Sequence, residues 1–76
     1  MPQSTYLKEL ELEIIRIGVS KGFNDQEIAD FIGRSRLGVR NARYRMRDDG
    51  TLGNLPFPFI VDGIAKALED RRRGRA

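Results

Sequence analysis

The chain has 76 residues, enough for one small domain whose core is near the minimum that folds unaided. It has neither cysteine nor histidine, so disulfides, thiolate nucleophiles and the commonest general base and metal ligands are missing. The composition therefore argues against an enzyme and against a bound cofactor. The net charge of +3 hides strong segregation: residues 1–33 carry −3, 34–47 carry +6, 48–70 carry −4 and the last six carry +4.

No stretch approaches the ~20 apolar residues of a membrane span. The start, MPQSTYLKELELE, lacks the basic opening and apolar run of a signal peptide, so a cytoplasmic protein is expected. Residues 5–20 read as a first helix. At about 100° per residue, Leu12, Ile15 and Val19 fall on one flank, and Leu7, Leu10, Ile14 and Ile17 on another. Glu9, Glu13 and Arg16 form the polar wedge opposite. The apolar arc is wider than a surface helix needs. The helix is thus expected to pack on the rest of the domain and also on the C-terminal helix, a second protomer, or both. Gly22 suits a helix end, and Phe23 is expected to turn back into the core.

Asn24 followed by Glu27 reads as a capping box opening a second helix over residues 25–32, with Ile28, Ala29 and Ile32 on one face. Gly33 breaks it. Ser35 is a good N-cap for a third helix that runs to about Arg47 or Asp48 before Gly50, with Val39, Ala42 and Met46 as its inward stripe. The stretch TLGNLPFP, residues 51–58, reads as an ordered turn in which Leu52, Leu55 and Phe57 seal the bottom of the core; a short strand or wing is the alternative. A fourth helix is expected over 58–72, with Pro58 in its first position and Ile60, Ile64, Ala67 and Leu68 on one face. Phe31 is expected to meet Phe57 or Phe59, or a second protomer, and the end, RRRGRA, to fray. The fold class is all-α: one domain over residues 1–76, a tri-helical core plus a C-terminal fourth helix.

The basic run GRSRLGVRNARYRMR, residues 33–47, holds six arginines and no acid. Like charges three or four apart cost a helix ~0.2–0.5 kcal/mol per pair. The run therefore reads as a polyanion footprint more than as a solvated face. Helix, tight turn and basic helix over residues 22–47 resemble the helix-turn-helix DNA-binding proteins, including small bacterial and phage regulators and the promoter-reading region of sigma factors. The resemblance rests on Ala29, small where a helix crosses close above it, and on Gly33 four residues later, free to reverse the chain. Val39 and Ala42 follow ten and thirteen residues after Ala29 and anchor the recognition helix. There are three departures. Arg34 stands where the family usually has an aliphatic residue, Gly38 weakens the third helix by ~1 kcal/mol, and Arg43 lies only ~40° round from Val39, so its stem must follow the core edge.

The resemblance implies that helix 35–47 enters the major groove of double-stranded DNA and shows Ser35, Arg36, Leu37, Arg40, Asn41 and Tyr44 to base edges. Arginine can fork onto guanine and asparagine onto adenine, and Leu37 can touch a thymine methyl. Arg34, Arg43, Arg45 and Arg47, with Tyr44 beside them, would hold phosphates, as would the backbone at Asn24. Six neutralised phosphates would give a log–log salt slope of about −5. The tail arginines Arg71, Arg72, Arg73 and Arg75 would reach a flanking phosphate or minor groove, or simply solubilise the chain end.

The expected function is that of a sequence-specific, nucleoid-associated transcriptional regulator, with activation or repression left open and a phage or mobile-element source suggested by its simplicity. A homodimer on a pseudo-palindromic site is implied, with helix one or helix four as the seam, and RNA polymerase or another protein is a conceivable further partner. No membrane and no small-molecule ligand are expected. Two alternatives remain: a phage packaging or architectural DNA-binding module, and a protein-interaction module docking an acidic partner. RNA binding is disfavoured because only Tyr44 offers an aromatic for stacking. Catalysis is disfavoured because Glu9, Glu11 and Glu13 alternate along a helix and do not converge.

Overall fold

The first two helices open with the same device. A glutamate in the third helical position, Glu11 in one and Glu27 in the other, turns back to accept the backbone N–H of the residue before the helix, Lys8 at 2.9 Å and Asn24 at 3.0 Å. At the second of these starts the Asn24 side chain returns the bond, accepting from the Glu27 amide at 2.8 Å, which completes the capping box. In the computed structural model, which describes residues 8–74, the chain is all-α. Its four helices are α1 (Glu9–Ser20), α2 (Asp25–Ile32), α3 (Arg36–Asp48) and α4 (Pro58–Gly74).

Helix α1 is described only from Glu9, so the part of the first helix expected over residues 5–7, with Leu7, lies outside the described residues. One apolar flank is consumed inside the chain and the other in part: Ile14, Ile15 and Ile17 are buried, and Leu12 and Val19 pack against the core, while Leu10 stays exposed. The polar wedge needs correction. The Arg16 side chain is only 13% exposed, reaching Glu9 at 3.6 Å, and its Nε is buried without a hydrogen-bond partner among the described residues. Phe23 does turn back into the core, and its N–H donates to the Gly18 carbonyl at 2.9 Å.

Helix α2 lies in the middle of the bundle, with Ile28 and Ala29 fully buried and Ile32 half-buried. Gly33 ends it at φ 73°, the left-handed conformation that glycine adopts at little cost, and the Arg34 N–H closes the turn on the Ala29 carbonyl at 3.0 Å. Ser35 then caps α3, its Oγ accepting from the Gly38 N–H at 3.1 Å. A Cβ on Gly38 would sit 3.3 Å from that Oγ, so the residue that weakens the helix also leaves room for its cap. Val39 and Met46 are buried and Ala42 packs against the core, as their spacing predicts.

After α3 the chain closes on itself through the Thr51 and Leu52 N–H groups, both donating to the Met46 carbonyl. There is no strand or wing among the described residues; the connection is a turn followed by residues without regular secondary structure. Leu52 does pack against the core, but Leu55 and Phe57 do not seal it. Leu55 is 42% exposed, and Phe57 and Phe59 are 70% and 73% exposed, their rings stacked 6.0 Å apart on each other. Phe31 accordingly packs against the core of its own chain. A loop of only nine residues, with Pro56 near its end and Pro58 opening the next helix, spans α3 to α4 and leaves these rings outside the core.

Helix α4 is longer than the spacing predicts, and the arginines expected to fray are helical through Gly74. Val61 joins Leu68 among its buried residues, and Ile64 packs against the core. Among the described residues no helix is long and apolar enough to cross a membrane.

The tightest glycine is Gly18, where an added Cβ would lie 2.6 Å from Ile28 Cδ1 and 2.7 Å from its Cγ1. Ile28 is fully buried and has nowhere to swing. Gly18→Ala is therefore expected to destabilise despite its better helix propensity, by a net ~1–2 kcal/mol, and to lower Tm by roughly 5–10 °C. Gly63→Ala on α4, where the Cβ would meet nothing within 4 Å, is the control and should raise stability by up to ~1 kcal/mol. Thermal unfolding of the two variants distinguishes a packing requirement from a propensity effect.

Candidate nucleic-acid interface

The six arginines of residues 34–47 divide into two groups. Arg34 and Arg43 are tied down. Arg34 forks onto Glu11 of α1, its Nε and Nη2 both donating at 3.2 Å. Arg43 forks onto Asp25 of α2, at 2.9 Å from Nε and 2.8 Å from Nη2. Both pairs are largely shielded from solvent, which makes them stronger than an open surface pair. They also account for two departures from the helix-turn-helix pattern. The arginine standing for an aliphatic residue after the turn binds α1 by charge instead of by packing. The arginine near the core edge is held there by the first residue of α2.

Arg36, Arg40, Arg45 and Arg47 are exposed and make no salt bridge among the described residues. Arg40, Arg43 and Arg47 surround the Tyr44 ring, their guanidinium carbons 5.4, 4.9 and 5.1 Å from its centroid. The Arg40 guanidinium bonded to the phenol holds Tyr44 below the ordinary 10.0, helped by the charge of Arg40 and then of Arg43. Residues four before and three after the tyrosine share its side of the helix, and Arg43 reaches the ring from the neighbouring flank. The cluster orders three long side chains over one flat surface.

The remaining expected site residues fall into place around α3. Leu37 is 62% exposed, and Asn41 and Tyr44 share the outer face with it. Ser35 is exposed at the start of the helix, with its oxygen engaged as the cap. Asn24 is less available. Its side chain and its N–H are both used in the capping box, and Asp25 and Glu27 place carboxylates in the same first turn. Arg72 is also spoken for: its Nε donates to Glu27 at 2.7 Å, its Nη2 at 3.0 Å, and the guanidinium lies 4.3 Å over the Phe23 ring. That fork brings the end of α4 against the start of α2 and leaves Arg71 and Arg73 exposed beside it. Arg75 lies outside the described residues.

The phosphate role expected of Arg34, Arg43 and Arg72 thus competes with internal ion pairs, and that expected at Asn24 with its capping box. Among the described residues, the arginines of the two basic blocks without an ion pair are Arg36, Arg40, Arg45, Arg47, Arg71 and Arg73. The three carboxylate partners were not legible in the sequence, because they stand 23, 18 and 45 residues from their arginines. The Tyr44 cluster, by contrast, could have been found from helical spacing alone.

No family model, curated protein sequence or solved structure matches the chain at a significant level.

The forks make the arrangement sensitive to acid. At Glu27 the Arg72 fork and then the Asn24 N–H hold the carboxyl below its ordinary 4.5. At Glu11 burial pushes upward, but the Lys8 N–H and the Arg34 guanidinium together outweigh it, and the net shift is also downward. A carboxylate with a depressed folded-state pKa stabilises the fold above its unfolded value and loses that contribution as pH falls through the folded value. Tm should therefore be nearly level from pH 7 to about 5 and fall below about 4.5. In Glu11→Gln/Glu27→Gln, Tm should be lower at pH 7 and the acid limb shallower. A thermal melt series over this range checks both.

Proposed function

We propose that the protein is a sequence-specific double-stranded DNA-binding regulator of the helix-turn-helix kind that lays α3 in the major groove. The observation that carries this reading is the division of the arginines. Two are spent fixing α3 to α1 and α2, and the four left over stand exposed on that helix, without carboxylates, around Leu37, Asn41 and Tyr44. A rigid helix with uncompensated guanidiniums and one exposed amide carries both parts of groove recognition: charge for the backbone and forked donors for base edges.

In this reading Arg36, Arg40 and Asn41 read bases, with Leu37 against a thymine methyl and Ser35 at the entry of the helix. Arg45 and Arg47 hold phosphates, and Arg71 and Arg73 reach a flanking one. Tyr44 keeps Arg40 and Arg47 extended, so less side-chain entropy is lost on binding. Two copies on a two-fold site would double the contact.

Selection from a random-sequence duplex pool at near-physiological salt tests the reading. Enrichment of a motif with half-sites about one helical turn apart supports it. Retention without a motif moves the function to packaging or DNA architecture, and no retention rejects DNA binding. On an enriched site, Arg40→Ala should relax base preference at one position by ~1–3 kcal/mol, while Arg45→Ala should weaken all sequences alike. With Arg34 and Arg43 held by carboxylates, the four cations assigned to phosphates, Arg45, Arg47, Arg71 and Arg73, give a salt slope of about −3.5 per protomer, shallower than six phosphates would give. A titration series in salt measures it directly.

A further inference from the structure

Residues 50–61, GTLGNLPFPFIV, are the longest uncharged run in a chain of which one third is charged. They end in the stacked pair Phe57 and Phe59, with Leu55 half-exposed before it. Two rings about 70% exposed present roughly 300 Å² of apolar surface, the size of the largest patch on an ordinary monomer and one that is often functional. The rings lie 11° from parallel and stack on each other, so each restricts the other.

The charge pattern selects the occupant. A polyanion gains nothing here, since the ionised residues nearest in sequence are acidic, Asp49 before the run and Asp62 after it. An aromatic wedge into nucleic acid or an anionic lipid surface wants basic neighbours, and the first basic residue of α4 is Lys66. A second copy of this chain meets no such objection. Two neutral patches can face each other across a two-fold axis without like-charge repulsion. By contrast, the α3 face is uniformly basic, and the exposed side of α1 carries Glu9. Of the second flank of α1, Ile14 and Ile17 are buried within one chain, and Leu10 is exposed beside Glu9.

We infer that Leu55, Phe57 and Phe59 form the contact between two copies of this chain, and that the contact is weak until DNA holds the copies side by side. The weakness follows from area. Roughly 300 Å² is well under half of the ~800 Å² per partner in a stable dimer, so free protein is monomeric at ordinary concentrations. Adjacent sites on one duplex supply the high local concentration that completes the pairing. The second half of the inference rests on the DNA-binding reading; the first half does not.

Sedimentation equilibrium of the whole chain from about 10 μM to about 1 mM, with amide NMR shifts over the same range, tests the first half. The expected result is self-association at the upper end, with shifts confined to residues 52–62 and abolished in Phe57→Ser/Phe59→Ser. Both side chains are exposed, so the variant should keep its helical content by circular dichroism. Identical behaviour of the two proteins, or shifts centred on Leu10 and α1, would overturn the inference. So would rings that solvent paramagnets reach only after residues 1–7 are deleted, which would make those residues the occupant.

On duplexes with one or two enriched sites, the wild type should show cooperativity on the order of tenfold. The variant should lose it while binding the single site within about twofold. Self-association through these rings without DNA binding would reject the DNA reading and keep the contact. Specific binding with equal cooperativity in both proteins would do the reverse.

Discussion

Helix α2 can occupy the centre of this small bundle only because Gly18 has no side chain. The Ile28 side chain fills the space where a Cβ would stand, and from that seat Ile28 and Ala29 bury themselves between α1 and the inward stripe of α3. In so short a chain there is little other apolar area to compensate for a looser fit. The orientation of α3, and with it the face that carries the exposed arginines, is inherited from this contact.

Charge then does for the outside of the bundle what Ile28 does for the inside. Glu11 and Glu27 each hold the backbone N–H at the start of their own helix and an arginine from a distant part of the chain. Asp25 holds a third arginine. One carboxylate thus fixes a helix start and a tertiary contact together, so losing its charge removes both. The forks join the turn before α3 to α1, α3 to α2, and α4 to α2. They also separate the arginines into those bidentate to a carboxylate and those left without one. What remains for a polyanion is a subset that the pairing geometry selects.

The apolar residues show the same selection. Val39, Ala42 and Met46 lie inward, as a 3.6-residue period requires, and Ile28 and Ala29 do likewise. Leu55, Phe57 and Phe59 are no less apolar, yet they stand outside. Periodicity is informative only where the backbone is regular, and between α3 and α4 the chain is a prolyl connection whose direction is decided by the hydrogen bonds of Thr51 and Leu52 to Met46. Arg16 is the converse case, a charged residue on a polar helical wedge that tertiary packing covers almost completely.

The sequence alone determined the four helices, their caps at Asn24, Gly33 and Ser35, and the inward stripes of α2 and α3, because each depends on residues within about four positions of one another. It also determined the concentration of positive charge on α3. Only the tertiary structure decided which arginines stay free, where α4 docks and which aromatics remain exposed. Those outcomes depend on partners 18 to 45 residues apart, brought together by a close approach at one glycine, and no local spacing encodes them.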